Sequence, residues 1–251
     1  DFLANSMRSN QLSRYDDVLS DYQLQRSTAG KGAALTALAA LRNISLHPAL
    51  VTKSDLSAPC PVKAKEFIAD SAKVTALKRV LDRIQEKSEK VIIFAINKRF
   101  QLMLKQTLDV AYGLNIDIIN GDTKTVETSQ SPESSTRKGM IASFEARPGF
   151  NIIIMSPIAA GVGLTIIGAN HVVHLERHWN PAKEAQATDR VYRIGQTKDV
   201  CVYYPFSLHP SKPSFDEHLA MLLNRKQLLK EAVVTTEAVK EAEIIRNILG
   251  T

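Results

Sequence analysis

Five short apolar runs, separated by helical patterns, restrict the folds open to this sequence. The runs are VIIFAI (91–96), IDII (116–119), NIIIMS (151–156), HVVHL (171–175) and VCVYYPF (200–206). Apolar runs without polar alternation are typical of strands that are buried on both faces of a parallel sheet. Helical patterns lie between them, which favours connections that cross over the sheet. The sequence therefore predicts an α/β fold: a doubly wound, mainly parallel sheet with helices on both faces.

Capping patterns and polar stretches divide the chain into three parts. Residues 1–70 are predicted to be a helical and irregular segment with a polar start, in which Ala-Gly-Lys-Gly (29–32) is predicted to be a linker. Regular alternation begins at Ser71, a residue type that caps helices, and the main domain is predicted to span 71–213. Ser214 and the glutamate three positions later form a capping box, which opens a helical C-terminal extension over 214–251.

The composition excludes several classes of protein. No run approaches the roughly 18 uncharged apolar residues of a membrane-spanning helix, and the N-terminus lacks the features of a signal peptide. Two cysteines, Cys60 and Cys201, are too few for a disulfide framework. The net charge of +6 suits a nucleotide or nucleic-acid partner without demanding one. We therefore expect a cytoplasmic protein without a membrane partner, and a first residue other than Met suggests a piece of a longer chain.

The segment HVVHLERHWNPAKEAQATDRVYRIGQT (171–197) contains the most specific chemistry. Asn180 and Pro181 are typical of the N-cap and first residue of a helix, and Gly195 is typical of its end. At 100° per residue such a helix has two stripes of side chains. The stripe predicted to pack inward consists of Ala187, Val191 and Ile194.

The second stripe of this helix consists of Gln186, Arg190 and Arg193. The two arginines would repel each other by roughly 0.2–0.5 kcal/mol on an exposed helix, and an anion between them would reverse that sign. The alternative is that Arg193 pairs with Asp189 while Arg190 is only solvated. Helix geometry alone leaves both interpretations open.

A second loop of interest follows NIIIMS and contains Gly161 and Gly163. Glycines without a Cβ allow a backbone to approach a phosphate or a base, although a tight turn from strand to helix has the same pattern. Both loops are expected at the carboxyl ends of the strands, where α/β sheets bind ligands. No metal site is expected, because His171 and His174 point to opposite faces of a strand.

Several of these segments resemble motifs of the Snf-family (Swi/Snf-type) ATPases in helicase superfamily two. QATDRVYRIGQ resembles motif VI, SPIAAGVGLTIIGANHVVHL resembles motif V with the strand after it, and HWNP matches the WNP turn. KVIIFAI resembles motif IV, and NGDT the loop after the next strand. LRNISLHPAL and SFDEHLAMLLNRKQLL are similar to segments on either side of the lobe. The motifs follow the order of the family.

The resemblance implies a RecA-like C-terminal lobe that acts on ATP with Mg²⁺, both bound mainly by an N-terminal lobe. Arg190 and Arg193 would contact the γ-phosphate, with Gln186 positioning them, and Gly161 and Gly163 would lie near the nucleotide. The chain contains neither a P-loop nor a DExH box after a strand. The fragment alone is therefore expected to be inactive.

The resemblance also implies contacts with the phosphates of one DNA strand. The candidates are Asn97, Lys98, Ser156 and Thr165, with the two glycines of motif V and with Trp179 as a wedge. A packed Trp179 under the start of the helix is the alternative. Eukaryotic members usually have Asn where Thr165 stands, which favours a bacterial member associated with the nucleoid.

The function implied by the resemblance is the C-terminal lobe of an ATP-dependent double-stranded DNA translocase. Its expected partners are double-stranded DNA, the N-terminal lobe of the same protein and DNA-bound proteins. The alternative is a stand-alone module that binds nucleic acid or protein and has no ATPase activity.

Overall fold

The structure, a computed structural model, describes residues 2–25, 31–52, 60–125, 135–160, 164–232 and 248. Six strands form one sheet in the order β1-β6-β5-β2-β4-β3, and every neighbouring pair is parallel. The strands are β1 (Phe2–Ser6), β2 (Lys90–Phe94), β3 (Asp117–Ile119), β4 (Asn151–Met155), β5 (His171–His174) and β6 (Cys201–Leu208). The predicted α/β fold is confirmed.

Three of the described helices carry N-terminal caps that the sequence predicts. The described helices are α1 (Ser9–Gln25), α2 (Lys31–Leu46), α3 (Pro61–Asp70), α4 (Ala72–Glu86), α5 (Lys98–Tyr112), α6 (Arg137–Ala146), α7 (Pro157–Ala160), α8 (Pro181–Thr188) and α9 (Phe215–Ala232), with a 3-10 turn at Pro48–Leu50. Ser71 accepts from the Val74 N–H at 3.2 Å. Glu217 and Ser214 form the reciprocal capping box, at 2.8 and 3.3 Å. None of the described helices is both long and apolar enough to cross a membrane.

Alternate residues of the strands face two different helical layers, as the two-residue period of a strand requires. Val91 and Ile93 pack in one core cluster with residues of α4 and α5. Ile92 and Phe94 pack in another with residues of α6, α7 and α8. Because both faces of the sheet are covered, the central strands β2 and β4 are almost entirely apolar, and the predicted helices on both faces are confirmed.

The N-terminal segment is more regular than the sequence predicts. β1 pairs with β6 and α1 follows it, and the linker predicted at 29–32 is wrong where the structure describes it, because Lys31 and Gly32 open α2. Gln11 on α1 is fully buried, donates to the Ile44 carbonyl at 2.8 Å and accepts from the Ala72 N–H at 3.0 Å. Residues 26–30 lie outside the described residues.

The C-terminal helix α9 packs against α1 and α2 in a third apolar cluster, which includes Tyr15, Leu41 and Leu219. A buried ion pair also fixes α9: Lys73 Nζ lies 2.7 Å from Asp216 Oδ1, and Asp216 Oδ2 accepts from a β6 N–H at 2.9 Å. The described parts of the two predicted extensions therefore pack on each other and on the sheet. The boundaries at residues 71 and 213 stay a prediction.

Candidate functional site

The carboxyl ends of β2, β4 and β5 lie side by side because these strands are parallel neighbours. Asn97 follows β2 and caps α5, and its side chain accepts from the Phe100 N–H at 3.0 Å. Ser156 follows β4, and its hydroxyl accepts from the Ala159 N–H at 3.2 Å. The structure thus brings two of the predicted DNA-contact residues to the same end of the sheet.

A buried carboxylate that the sequence predictions do not include fixes the loop after β2. Glu176 is only 4% exposed, and its Oε2 accepts from the N–H groups of Ile96 and Asn97, each at 2.7 Å. Its Oε1 lies 2.7 Å from the guanidinium of Arg42 on α2. The signal that could have revealed it is a carboxylate directly after an apolar strand, because a carboxylate that is buried needs hydrogen-bond donors or a cation as partners.

Trp179 lies against the same group of residues. Its ring meets Phe215 edge-on, with the centroids 6.0 Å apart, and the Arg42 guanidinium lies 5.1 Å from its centroid. The ring is partly buried against the third apolar cluster. This geometry fits the packing alternative for Trp179, and a contact with DNA stays a prediction.

Lys98 lies at the first position of α5, beside Asn97, and forms an ion pair with Asp122 at 2.6 Å. Both side chains are more than half exposed. Exposed pairs of this kind contribute about 0–1 kcal/mol, so an incoming phosphate could displace Asp122 at small cost. The structure leaves the ammonium group accessible from solvent.

The start of α8 has the predicted form and a buried ionic anchor. Asn180 caps the helix by accepting from the Ala182 N–H at 2.9 Å, and Pro181 is its first residue. Before the cap, Arg177 donates to Glu184 at 2.6 Å in a pair whose side chains are 10% and 5% exposed. The predicted N-terminus of the helix is confirmed.

The end of α8 is held by a histidine of β5. His174 is stacked between Phe94 and Tyr204, with ring centroids 5.1 and 5.3 Å away. Its Nε2 lies 2.8 Å from the hydroxyl of Thr188, which itself donates to the Glu184 carbonyl at 3.3 Å. The histidine is therefore the donor. Burial lowers the pKa of His174 to about 4, which keeps the ring neutral at physiological pH.

The helix ends at Thr188, and the prediction that it continues to Gly195 is wrong. The backbone turns there, with the N–H of Val191 donating to the Thr188 carbonyl at 2.9 Å. Ala187 and Val191 are fully buried as predicted, but Ile194 is fully exposed, so the inward stripe ends at Val191. We call residues 189–195 the arginine turn.

The physical cause of the early helix end is a competing backbone partner. The N–H of Ile166 donates to the Arg190 carbonyl at 3.0 Å, which joins the arginine turn to a segment of motif V. We call residues 164–169 the motif V segment. Gly195 has a φ of +107°, a conformation that favours glycine, so this residue ends a turn rather than a helix.

The arginine turn separates residues that the predicted stripe aligned. Gln186 is exposed on α8, whereas Arg190 and Arg193 follow the end of the helix. The Arg193 guanidinium donates to the Thr165 hydroxyl at 2.7 Å. Within the part of the chain that the structure describes, Arg193 does not pair with Asp189. The structure therefore groups Thr165 with Arg193, although the family resemblance implies different ligands for these two residues.

Comparisons with known proteins identify relatives of this chain. The helicase conserved C-terminal domain matches residues 72–195. The chain is 42% identical over 202 residues to the Zorya protein ZorD of Escherichia coli, and the match covers 80% of this chain and 17% of ZorD. It is 30% identical over 236 residues to the putative ATP-dependent helicase/translocase YwqA of Bacillus subtilis, covering 92% of this chain and 23% of YwqA.

The same fold occurs in a solved structure, the Sulfolobus solfataricus SWI2/SNF2 ATPase core in complex with dsDNA. The TM-score is 0.69 at 23% sequence identity, and the match covers 93% of this chain and 45% of that chain. This chain belongs to the Snf family. It has the fold of the family's RecA-like C-terminal lobe, and it spans only about a fifth of the length of the two curated relatives.

The donor set of this Snf-family lobe fits the phosphates of ATP in part. The arginine turn presents guanidinium groups beside the Thr165 hydroxyl of the motif V segment, and these are the types of donor that bind phosphate oxygens. Gly161 and Gly163, also predicted to lie near the nucleotide, fall outside the described residues. Among the residues that are described, no group of three His, Cys, Asp or Glu could hold a metal ion, so we assign Mg²⁺ to no residue of this lobe.

Proposed function

We propose that this lobe is the C-terminal half of an ATP-dependent double-stranded DNA translocase. One observation carries the proposal: the arginines of motif VI lie in a turn that is bonded to motif V. The Ile166 N–H reaches the Arg190 carbonyl at 3.0 Å, and the Arg193 guanidinium reaches Thr165 at 2.7 Å. Such a turn presents cationic groups to a ligand from fixed backbone positions.

In this proposal Arg190 and Arg193 stabilise the negative charge that spreads over the γ-phosphoryl group in the transition state. An arginine supplied in this way can accelerate hydrolysis by about 10³–10⁵-fold. Gln186 on α8 would help to position them. ATP and Mg²⁺ would be held mainly by an N-terminal lobe, and the name of the relative YwqA supports an ATP-dependent activity.

Double-stranded DNA is the proposed partner of the carboxyl end of the sheet. Asn97, Lys98 and Ser156 lie there, and Thr165 belongs to the neighbouring motif V segment. Contacts to phosphates carry little sequence information, so binding would be nonspecific and would weaken steeply with salt. A related ATPase core of this fold was solved with dsDNA, which supports this choice of partner.

The chain alone is proposed to hydrolyse no ATP, because its sequence contains no GxxxxGK[ST] loop. The N-terminal lobe of the same protein and DNA-bound proteins complete the proposed set of partners. A bacterial origin and an association with the nucleoid belong to the same proposal.

The test is Arg193→Ala in the complete protein, with ATP hydrolysis measured with and without duplex DNA. We expect the DNA-stimulated rate to fall by about 10³-fold or more, because the variant loses a charge that acts in the transition state. Arg79→Ala, on the exposed face of α4, is the matched control and should leave the rate unchanged. DNA-stimulated hydrolysis near the wild-type rate in Arg193→Ala would contradict the proposal.

A further inference from the structure

Gln196 follows the arginine turn and uses every polar atom of its side chain. Its Nε2 donates to the carbonyls of Ile167 at 3.1 Å and Ala169 at 2.7 Å. Its Oε1 accepts from the Lys198 N–H at 3.0 Å. The partners fix the orientation of the amide, because the nitrogen faces only carbonyl oxygens and the oxygen faces an N–H.

A carboxylate binds the backbone N–H groups of the motif V segment, whereas Gln196 binds its carbonyl groups. Glu145 Oε1 accepts from the N–H groups of Ile167 and Gly168, each at 2.9 Å. A Cβ at position 168 would come within 2.8 Å of Glu145 Cγ, so the close approach requires glycine there. The segment therefore meets an acceptor at its N–H groups and a donor at its carbonyls.

The contacts of Gln196 close a ring with Arg193. The Gln196 N–H donates to the Arg193 carbonyl at 2.9 Å, and the Arg193 guanidinium donates to Thr165 at 2.7 Å. The backbone from Thr165 to Ala169 then leads back to the Gln196 amide. Any shift of the motif V segment must therefore either break these bonds or move Arg193 with it.

We propose that Gln196 is a positioning residue that ties the arginine turn to the motif V segment, so that the two move as one body. The inference rests on the proposed function, because only an Arg193 that contacts the γ-phosphoryl group needs an exact position. Gln196 itself touches no ligand and acts through Arg193. The side-chain amide is the part of Gln196 that does this.

The decisive variant is Gln196→Glu in the complete protein, which replaces the NH₂ group by an oxygen and changes little else in shape. A carboxylate oxygen would then face two carbonyl oxygens, so two hydrogen bonds become repulsive contacts. We expect kcat for DNA-stimulated ATP hydrolysis to fall by about tenfold or more, with KM for ATP changed by less than about twofold. A role limited to stability would instead lower the melting temperature and leave kcat per folded molecule unchanged.

Two further variants keep the test decisive. Gln85→Glu makes the same chemical change on the exposed face of α4 and should leave both kcat and the melting temperature unchanged. Gln196→Ala removes the bonds without adding repulsion, so its kcat should lie between those of the wild type and Gln196→Glu. If Gln196→Glu does not fold, a wild-type kcat in Gln196→Ala overturns the inference.

A double variant tests whether Gln196 acts through Arg193. In an Arg193→Lys background, Gln196→Glu should lower kcat by much less than in the wild type, because residues that act as a unit are not additive. Equal factors in the two backgrounds would overturn the inference. Wild-type kcat in Gln196→Glu together with an inactive Arg193→Ala would overturn it while leaving the proposed function in place; an active Arg193→Ala would reject the proposed function itself.

Discussion

The helical and irregular parts of residues 171–197 are held by different kinds of interaction. Side chains anchor α8 at both ends. Arg177, before the helix, forms a buried ion pair with Glu184 inside it, and His174 forms a hydrogen bond with Thr188 at its last residue. The arginine turn that follows is held mainly through backbone atoms, through the buried Val191 and through Gln196, and two of its other large side chains point outward. Tyr192 is 72% exposed and Ile194 is fully exposed.

This difference separates stability from the proposed chemistry along one stretch of chain. A buried charge pair is costly to break, because removing one partner leaves the other uncompensated. A turn that is fixed by its backbone can present exposed side chains to a ligand without losing its shape. We therefore expect substitutions in the anchor to lower the free energy of unfolding and substitutions in the turn to lower activity.

The largest effect on stability is expected for Glu184→Gln. Glu184 is 4% exposed and accepts from Arg177 and from the His178 N–H at 3.2 Å, so the variant leaves a buried guanidinium unpaired. The free energy of unfolding should fall by about 3–5 kcal/mol, measured by denaturant titration. Glu86→Gln, on the exposed end of α4, is the control. A loss below about 1 kcal/mol would mean that the pair does not anchor α8.

The next effect is a dependence of stability on pH through His174. Burial lowers its folded pKa to about 4, below the ordinary value of 6.5, so the folded state binds fewer protons than the unfolded state between these values. Stability is therefore fully present above pH 6.5 and is lost as the pH falls towards 4. The contribution at stake is about 3 kcal/mol.

His174→Phe should remove this part of the pH dependence while it keeps the ring between Phe94 and Tyr204. When the free energy of unfolding is plotted against pH, the curves of the wild type and the variant should converge or cross between pH 7 and pH 4. Burial also lowers the pKa of His47 to about 4, so the variant should still lose some stability in acid. Curves that stay parallel across this range would contradict a buried neutral His174.

The smallest effect is expected for Ile194→Ser in the arginine turn. The fully exposed side chain contributes little, so the free energy of unfolding should change by no more than about 0.5 kcal/mol. A helix that continued to Gly195 would bury this residue, and the same variant would then cost several times more. Denaturant titration of this one variant thus distinguishes a turn from a continued helix.

Much of the fold could be predicted from short-range patterns in the sequence. The strand around Ile92 is apolar at every position after Lys90, and Ser71, Asn180 and Ser214 cap the helices that they were predicted to cap. Patterns of this kind depend on residues a few positions apart, so the chain carries them locally. The strand β1 was missed because an edge strand with polar residues has no such pattern.

The sequence by itself determined the parallel sheet, the helices on both of its faces and the choice of Arg190 and Arg193 as candidate phosphate-binding residues. Only the tertiary structure decided where those arginines lie. No Gly or Pro stops α8 at Thr188; the chain turns there because the Arg190 carbonyl accepts from the Ile166 N–H. Partners distant in sequence likewise define Gln196, which meets the carbonyls of Ile167 and Ala169 only once the sheet has formed.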